Sequence, residues 1–453
     1  MRLFTIHQKD ISMSMLSLRV KDFKAIAEAD IQLNGITVLS GVNSAGKSTL
    51  SKLLYYIVKL TIEFEKTQIN GLSNERGHLL YSLSRLSDDF QIENDRDILR
   101  TWSTNSQTTD IETLNQIFFS MLYDVEQTFL KREKDKPFSE KEITRITNAL
   151  TMRLRQSRKV LMPFQNIPEL FKSIRTWSDE SLKKTLNNIK QRPSSLFQIE
   201  LSHYFKEKTI PVTFFEDETP IIAPKLKRVN NIFSVEHVFY SDTPMAISNY
   251  SDDHRRISDL TTDTSHWDFL RRTILNSPSI PLNKQQELAN NEIAEIITGN
   301  VSLNESEFNR RFNYTRSTDG LTIDLTESAT GIKSFALLQL LLSEGLLNEK
   351  TLLILDEPEA HLHPQWIVEY ARILILLNKR LGVRCMIASH NPDMISALRY
   401  ISEKEGILDQ MHFYLAEKKD GTEHFQYRDL ENDIEPIFKS FNIALDRINQ
   451  YGI

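Results

Sequence analysis

The start of the chain alternates short apolar runs with turn residues. Residues 16–20, 25–31 and 36–40 have the pattern of strands, and Asn34-Gly35 is a hairpin-type dipeptide. From Leu50 the apolar positions recur every three or four residues, which is the period of one helix face. The pattern therefore predicts a strand, a glycine-bearing loop and a helix in succession between residues 36 and 60.

The helical period continues over residues 61–194. Its clearest stripe covers about five turns and consists of Ile111, Leu114, Ile117, Phe118, Met121, Leu122, Val125 and Phe129. A second stripe, from Ile143 to Leu154, begins like a heptad seam, but Pro163 and Pro168 follow and exclude a long coiled coil. We expect a compact helical insertion over 61–194.

Strand patterns return between residues 200 and 245, and a hairpin is predicted to turn at Asp319-Gly320 before a helix over 331–347. A buried strand pattern over 351–355 then ends on Asp356-Glu357. A helix over 365–379 and a strand over 384–388 follow it. This alternation predicts an α/β head, with a parallel set of strands flanked by helices, formed by residues 1–60 and 195–453.

Composition and charge narrow the class of protein. Hydrophobic residues make up 40% of the chain, and only 13 Gly and 14 Pro occur in 453 residues, which is typical of a folded protein. The net charge is −6, so contact with a polyanion would have to be local. The most basic segment is 151–192, and it fits either a solvated helix face or a patch for nucleic acid or an acidic partner. Its basic residues are Arg153, Arg155, Arg158, Lys159, Lys172, Arg175, Lys183, Lys184, Lys190 and Arg192.

Targeting and cysteine content point to the cytoplasm. Cys385 is the single cysteine, so an intramolecular disulfide or a thiolate metal cage is excluded. The first twenty residues lack the apolar centre of a signal peptide, and no run approaches about eighteen apolar residues. We expect a cytoplasmic protein without a membrane partner.

A phosphate-binding loop is the strongest motif. Residues 41–48 fit GxxxxGK[ST], with Thr49 beside them, after a predicted strand and before a predicted helix. Glycines let backbone N–H groups turn toward phosphates, Lys47 supplies a fixed cation and Ser48 can ligate Mg²⁺. The predicted nucleotide-binding residues are Gly41, Asn43, Ser44, Ala45, Gly46, Lys47, Ser48 and Thr49.

Polar residues at two later strand ends complete the predicted site. Asp356 can hold the Mg²⁺ shell, and Glu357 can orient and deprotonate an attacking water. His390 follows the strand over 384–388, where a γ-phosphate sensor could stand. His361 and His363 are adjacent to Pro364 and lack the spacing of a helical zinc pair.

Together these strings resemble the ATP-binding-cassette-like, AAA-like ATPases of the structural-maintenance (SMC) and RecF/OLD type. GVNSAGKST resembles their phosphate loop, DEPEAHLHP their Walker B segment and ASHNP their switch histidine. SATGIK falls where the family has the signature SGGQ. The second glycine of that signature is missing here, so only Ser328 and Gly331 correspond to it. Ser44 replaces a loop glycine, and no lid glutamine can be placed.

The resemblance implies an ABC-type head with a mixed sheet, ATP and Mg²⁺ as ligands, and a homodimer or higher homo-oligomer. In such proteins the loop of one chain faces the signature of the other, so Ser328 and Gly331 would act in trans. Catalysis would then rest on Lys47, Glu357 and His390.

The segment after His390 predicts two strands and a helix rather than the TOPRIM nuclease of OLD proteins. A short ATPase with GIKS and EAHLHP strings resembles the ATPase subunits of bacterial anti-phage defence systems such as Septu, where this subunit is PtuA, and PARIS. That resemblance implies a separately encoded effector, of HNH nuclease type. The alternative is a DNA-repair or chromosome-maintenance ATPase that acts directly on DNA through the basic segment 151–192.

Overall fold

The computed structural model describes residues 15–90, 102, 111–154, 164–190, 194–216, 219–222, 235–247, 266–275, 277, 281–306 and 309–439. The chain divides into two units. Residues 1–60 and 193–453 form the first unit, called the head here, and residues 61–192 form the second, called the insert.

The strands in chain order are β1 (Leu16–Phe23), β2 (Ile26–Gln32), β3 (Ile36–Gly41), β4 (Val212–Glu216), β5 (Thr219–Ile222), β6 (His237–Ser241), β7 (Gly299–Ser306), β8 (Asn309–Arg316), β9 (Thr322–Asp324), β10 (Thr351–Asp356), β11 (Arg384–Ala388), β12 (Met411–Lys418) and β13 (Phe425–Asp429). The helices are α1 (Lys47–Asp89), α2 (Ile111–Asp135), α3 (Glu140–Leu154), α4 (Ile167–Lys190), α5 (Ser194–Phe205), α6 (His266–Leu275), α7 (Lys284–Ile296), α8 (Thr330–Ser343), α9 (Pro364–Leu381) and α10 (Pro392–Glu405). Among the described residues, no helix combines the length and the apolar character needed to cross a membrane.

A mixed sheet carries the head. Its strand order is β5-β4-β1-β2-β13-β12-β3-β11-β10-β6. The strands from β12 to β6 are parallel, whereas β1 pairs antiparallel with both β2 and β4, and β12 pairs antiparallel with β13. A separate antiparallel sheet contains β7, β8 and β9, with the predicted turn at Asp319-Gly320 between the last two. The predicted fold class, a mixed sheet flanked by helices, is confirmed.

The parallel strands are covered on both faces. All residues of β10 and β11 are buried, which explains their continuous apolar runs. One large hydrophobic cluster joins these strands to α8, α9 and α10. The parallel half of the sheet is therefore the rigid support for any group at its strand ends.

The insert has its own core. The stripe on α2 buries Leu114, Phe118, Leu122, Val125 and Phe129, and Ile111 and Ile117 pack partly buried against the same cluster. Residues of α1, α3 and α4 complete that cluster. The apolar spacing of the sequence therefore identified the buried face of α2.

Candidate nucleotide-binding site

The site lies where parallel strands end. In the register of the sheet Asp356 pairs with Ala388, and Ala388 pairs with Leu39. The carboxyl ends of β3, β10 and β11 therefore meet at one edge. This edge brings together the loop after β3, the acidic pair after β10 and His390 after β11.

The loop between β3 and α1 depends on unusual backbone conformations. Gly46 has φ +92°, and a Cβ there would lie 2.9 Å from Cγ1 of Ile26, so both conformation and space require glycine. Ser44 has φ +68° and is also in the left-handed region, which explains why a glycine is usual at this position. The Tyr427 hydroxyl donates to the Ala45 carbonyl at 3.1 Å and fixes the loop from β13.

Lys47 is folded back onto its own loop. Its Nζ donates to the carbonyls of Gly41 at 2.9 Å and Val42 at 3.1 Å. Burial lowers the pKa of Lys47, although the charges of Glu357 and Asp356 oppose this effect. The ammonium group is thus held next to the acidic strand end, where it can contact phosphate oxygens.

Asp356 is a buried carboxylate with one engaged oxygen. Tyr240 donates its hydroxyl to Oδ2 at 3.3 Å, and Oδ1 has no hydrogen-bond partner among the described residues. Burial raises the pKa of Asp356, although the side chains of Ser48 and Tyr240 act in the opposite direction. A buried, partnerless carboxylate oxygen near a serine hydroxyl fits a divalent cation. Asp356 and Ser48 are therefore suited to the predicted Mg²⁺ role.

Glu357 and His390 are in direct contact. The distance from Glu357 Oε1 to His390 Nδ1 is 2.9 Å, and both side chains are about half exposed, at 41% and 47%. Glu357 has φ +51°, and this strained backbone is held because its N–H donates to the Ala388 carbonyl at 2.8 Å. The structure thus places the predicted base and the predicted sensor side by side and within reach of a ligand.

The signature residues have roles inside the chain. Ser328 is buried, and its hydroxyl donates to the Leu325 carbonyl at 2.8 Å. A Cβ at Gly331 would lie 2.7 Å from the Trp366 ring, so glycine is needed where α8 packs on α9. No hydrogen bond joins Ser328 to the phosphate loop within the described part of the chain. An action of these residues in trans remains a prediction.

Two buried side chains at this edge had no signal in the sequence. Glu359 accepts a hydrogen bond from the Ser389 hydroxyl at 2.5 Å, and burial raises its pKa. Tyr240 lies in an apolar strand whose pattern does not reveal which residue faces Asp356. Both contacts link segments that are far apart in sequence, so spacing alone could not identify them.

The histidine pair near Pro364 has a structural place. His363 is the N-cap of α9, and its Nδ1 accepts from the backbone N–H of Gln365 at 3.4 Å. His361 lies in a turn with φ +70°. Among the described residues, no group of three His, Cys, Asp or Glu side chains could hold a metal ion.

The basic segment is described only in part. Lys172, Lys183 and Lys184 are exposed on α4, whereas Arg175 pairs with Glu126 of α2. Arg155, Arg158, Lys159 and Arg192 lie outside the described residues, and the side chains of Arg153 and Lys190 are not described. The proposed polyanion patch therefore stays a prediction.

Comparisons with known proteins give one family. A search of curated proteins finds no match. The Smc head domain from Pyrococcus furiosus, solved with the C-terminal domain of ScpA, is 10% identical over 95% of this chain and 99% of that chain, with a TM-score of 0.33. The SMC head domain from Thermotoga maritima is 12% identical over 49% of this chain and 66% of that chain, with a TM-score of 0.27. Because these scores are low, the assignment rests on the sequence model of the AAA ATPase domain, which matches residues 13–395. The chain belongs to the AAA ATPase domain family.

Proposed function

We propose that this chain binds and hydrolyses ATP at a site shared with a second copy of itself. We further propose that it is the ATPase subunit of a bacterial anti-phage defence complex, in which it assembles and regulates a separately encoded nuclease. The observation that carries the enzymatic part is the contact between Glu357 and His390, at the sheet edge that also holds Lys47 and Asp356.

In the proposed reaction, the ATP phosphates replace the Gly41 and Val42 carbonyls as partners of Lys47. Glu357 accepts a proton from the attacking water, whose oxygen forms a bond to the γ-phosphorus while the bond to ADP breaks. His390 orients Glu357 by donating from Nδ1, and in its doubly protonated form it can also donate from Nε2 to a γ-phosphate oxygen. These groups act in a preorganised arrangement, because each follows a buried strand.

Asp356 and Ser48 would hold the cation that accompanies ATP. When bound, Mg²⁺ neutralises the charge that develops on the β and γ phosphate oxygens. Asp356 is suited to this role because its Oδ1 is buried and has no hydrogen-bond partner in the described part of the chain.

The defence role is supported by the sequence strings GIKS and EAHLHP and by the helical insert. The shared site is supported by the signature position of Ser328 and Gly331. If the second copy contributes these residues, ATP binding and assembly are one event, and an attached nuclease could be held inactive or released by that event.

Glu357→Gln tests the enzymatic part of the proposal. The variant should keep ATP bound while hydrolysis falls by about 100-fold or more, because the water loses its base. ATP affinity by calorimetry and phosphate release measure the two quantities separately. Hydrolysis at the wild-type rate would remove Glu357 from this role.

Two further experiments test the defence role. The chain should copurify with the product of the neighbouring gene. The mass of the purified complex should then be measured with and without ATP. Cells that carry both genes should resist phage and lose resistance with Lys47→Ala. Full resistance with Lys47→Ala, or with the neighbouring gene deleted, would contradict the proposal.

A further inference from the structure

Tyr240 lies beside the carboxylate that the proposed function gives to the metal. In the parallel register Tyr240 of β6 pairs with Ile354 of β10, and Asp356 follows two residues later on the same face. The Tyr240 hydroxyl donates to Asp356 Oδ2 at 3.3 Å, and the residue is only 1% exposed. The phenol is therefore a buried group in direct contact with the Asp356 carboxylate.

The ring of Tyr240 is held from two sides. The Tyr55 ring lies 5.7 Å away and the His266 ring 4.7 Å away, between ring centroids. His266 is fixed in turn, because its Nε2 lies 3.0 Å from Asp242 Oδ1. Trp267 Nε1 donates to the same oxygen at 2.7 Å. This network leaves the phenol little freedom to rotate away from Asp356.

The consequence for Asp356 is an asymmetry between its two oxygens. Oδ2 has a fixed donor, whereas Oδ1 is buried and has no hydrogen-bond partner among the described residues. A freely rotating carboxylate would present either oxygen to a cation. The contact with Tyr240 removes that choice and leaves Oδ1 as the free ligand.

We infer that Tyr240 is a positioning residue for the cation that binds with ATP: its hydroxyl fixes the Asp356 carboxylate with Oδ1 free to ligate. This inference rests on the proposed ATPase site. Groups that orient a metal ligand typically contribute a factor of about 10 to 100 in metal affinity. Because the hydrogen bond is long, the low end of that range applies.

The test is a titration with Mn²⁺ in the presence of a non-hydrolysable ATP analogue, with the bound ion followed by electron paramagnetic resonance. Tyr240→Phe keeps the ring and removes the hydroxyl, so we expect Mn²⁺ affinity to fall about 10-fold. Affinity for the analogue in EDTA should stay unchanged. Tyr314→Phe is the matched control, because it removes a buried hydroxyl that donates to the Ile297 carbonyl at 2.6 Å in the other sheet.

Asp356→Asn separates this inference from the proposed function. If neither wild type nor Asp356→Asn binds Mn²⁺ with the analogue, the proposed site itself is wrong. If wild type binds, Asp356→Asn does not, and Tyr240→Phe binds as wild type does, the inference alone is overturned. A purely structural Tyr240 would lower the thermal midpoint and leave Mn²⁺ affinity unchanged, which also overturns it.

A second variant covers the case in which Tyr240→Phe does not fold. His266→Ala keeps the hydroxyl but removes the ring that backs it, so Mn²⁺ affinity should fall in the same direction by a smaller factor. Unchanged affinity in a folded His266→Ala protein would show that the backing network does not position the carboxylate.

Discussion

Glu359 is a buried acid between two functional loops. The residue is 6% exposed, and its Oε1 accepts from Ser389, the residue before His390. Its Oε2 has no hydrogen-bond partner among the described residues. Burial raises the pKa of Glu359 above its usual value. The contact with Ser389 connects the loop after β10 with the loop after β11. Because the site is buried, the ionised carboxylate loses hydration there, and this loss lowers the stability of the folded chain.

Glu359→Gln should therefore stabilise the folded chain at neutral pH. With a raised pKa, the folded state binds the Glu359 proton more tightly than the unfolded state does. The stabilising contribution is present below the unfolded pKa and is lost as pH rises through the folded pKa. The advantage of the Gln variant should thus grow from acid to neutral pH, as measured by urea unfolding between about pH 4 and pH 8.

Glu423→Gln provides the control for this experiment. Its side chain is 91% exposed, so its substitution should leave the pH profile close to that of wild type. A Glu359→Gln protein whose advantage shrinks toward neutral pH would show that the carboxylate is stabilised by its surroundings.

Residue identity in the motif segments could be predicted because the chemistry fixes both residue type and spacing. The motifs selected Lys47 and Ser48, Asp356 and Glu357, and His390 in this way. The structure brings their segments to one edge of the sheet, and their roles stay predictions. Ser44 was identified as a departure from the glycine of the loop pattern, and the structure shows that this serine has a left-handed backbone conformation. Glu359 and Tyr240 were not found, because their partners are chosen by the fold.

At the scale of elements, one arginine joins three helices of the insert. Arg76 of α1 is 0% exposed, and its Nη2 donates to Asn115 Oδ1 of α2 at 2.8 Å and to Ser178 Oγ of α4 at 2.9 Å. Its guanidinium lies 4.6 Å from the centre of the Phe118 ring. Burial lowers the pKa of Arg76 to about 10.

Arg76→Lys should destabilise the insert by about 2 to 3 kcal/mol, because the shorter lysine cannot keep both hydrogen bonds and loses the contact of the planar guanidinium with the Phe118 ring. Hydrogen exchange of α2 and α4 measures the effect locally. The exposed Arg85→Lys on the same helix is the control. Equal exchange in the two variants would mean that Arg76 does not hold these helices together.

Element types were mostly predicted, since apolar spacing reports buried faces directly. The main error lies near residue 200, where a return to strand was expected and α5 instead continues to Phe205. Phe197, Leu201 and Phe205 recur every four residues, and the first two are buried. The helical period was present in the sequence. The aromatic residues favoured a strand instead, as did the strand pattern that follows residue 210.

The strand order of the whole sheet could not be predicted. Sequence patterns indicated the parallel strands around β10, but not the pairing of β2 with β13 or of β3 with β12. Those pairs join opposite parts of the chain, and strand propensity carries no information about a distant partner.

At the scale of the assembly, a mixing experiment tests the shared site. Ser328→Arg should bind ATP but fail to close on a second copy, because the bulky cation would occupy the space of the γ-phosphate. Lys47→Ala should bind no ATP. In a mixed pair, one composite site carries both defects and the other carries neither, so hydrolysis should rise above that of each variant alone, up to about half of the wild-type rate per pair.

Glu327→Arg is the matched control for Ser328→Arg, since it places the same side chain one residue earlier, at the end of the 3-10 helix Leu325–Glu327. Full activity of Ser328→Arg by itself would exclude an action of the signature in trans.

The contact between Tyr427 and Ala45 also has a consequence for protein synthesis. These residues are 382 positions apart, and the strand that carries the phosphate loop lies between two strands made much later. At about 5 to 20 residues per second, a ribosome needs roughly 20 to 80 seconds to supply the missing support. Throughout that interval the nascent chain has the loop residues but lacks the Tyr427 contact, and for most of it the chain also lacks the strands that flank β3. On the proposed function, we therefore expect only chains whose translation has passed β13 to bind ATP, and unfinished copies to be excluded from an assembly that depends on ATP.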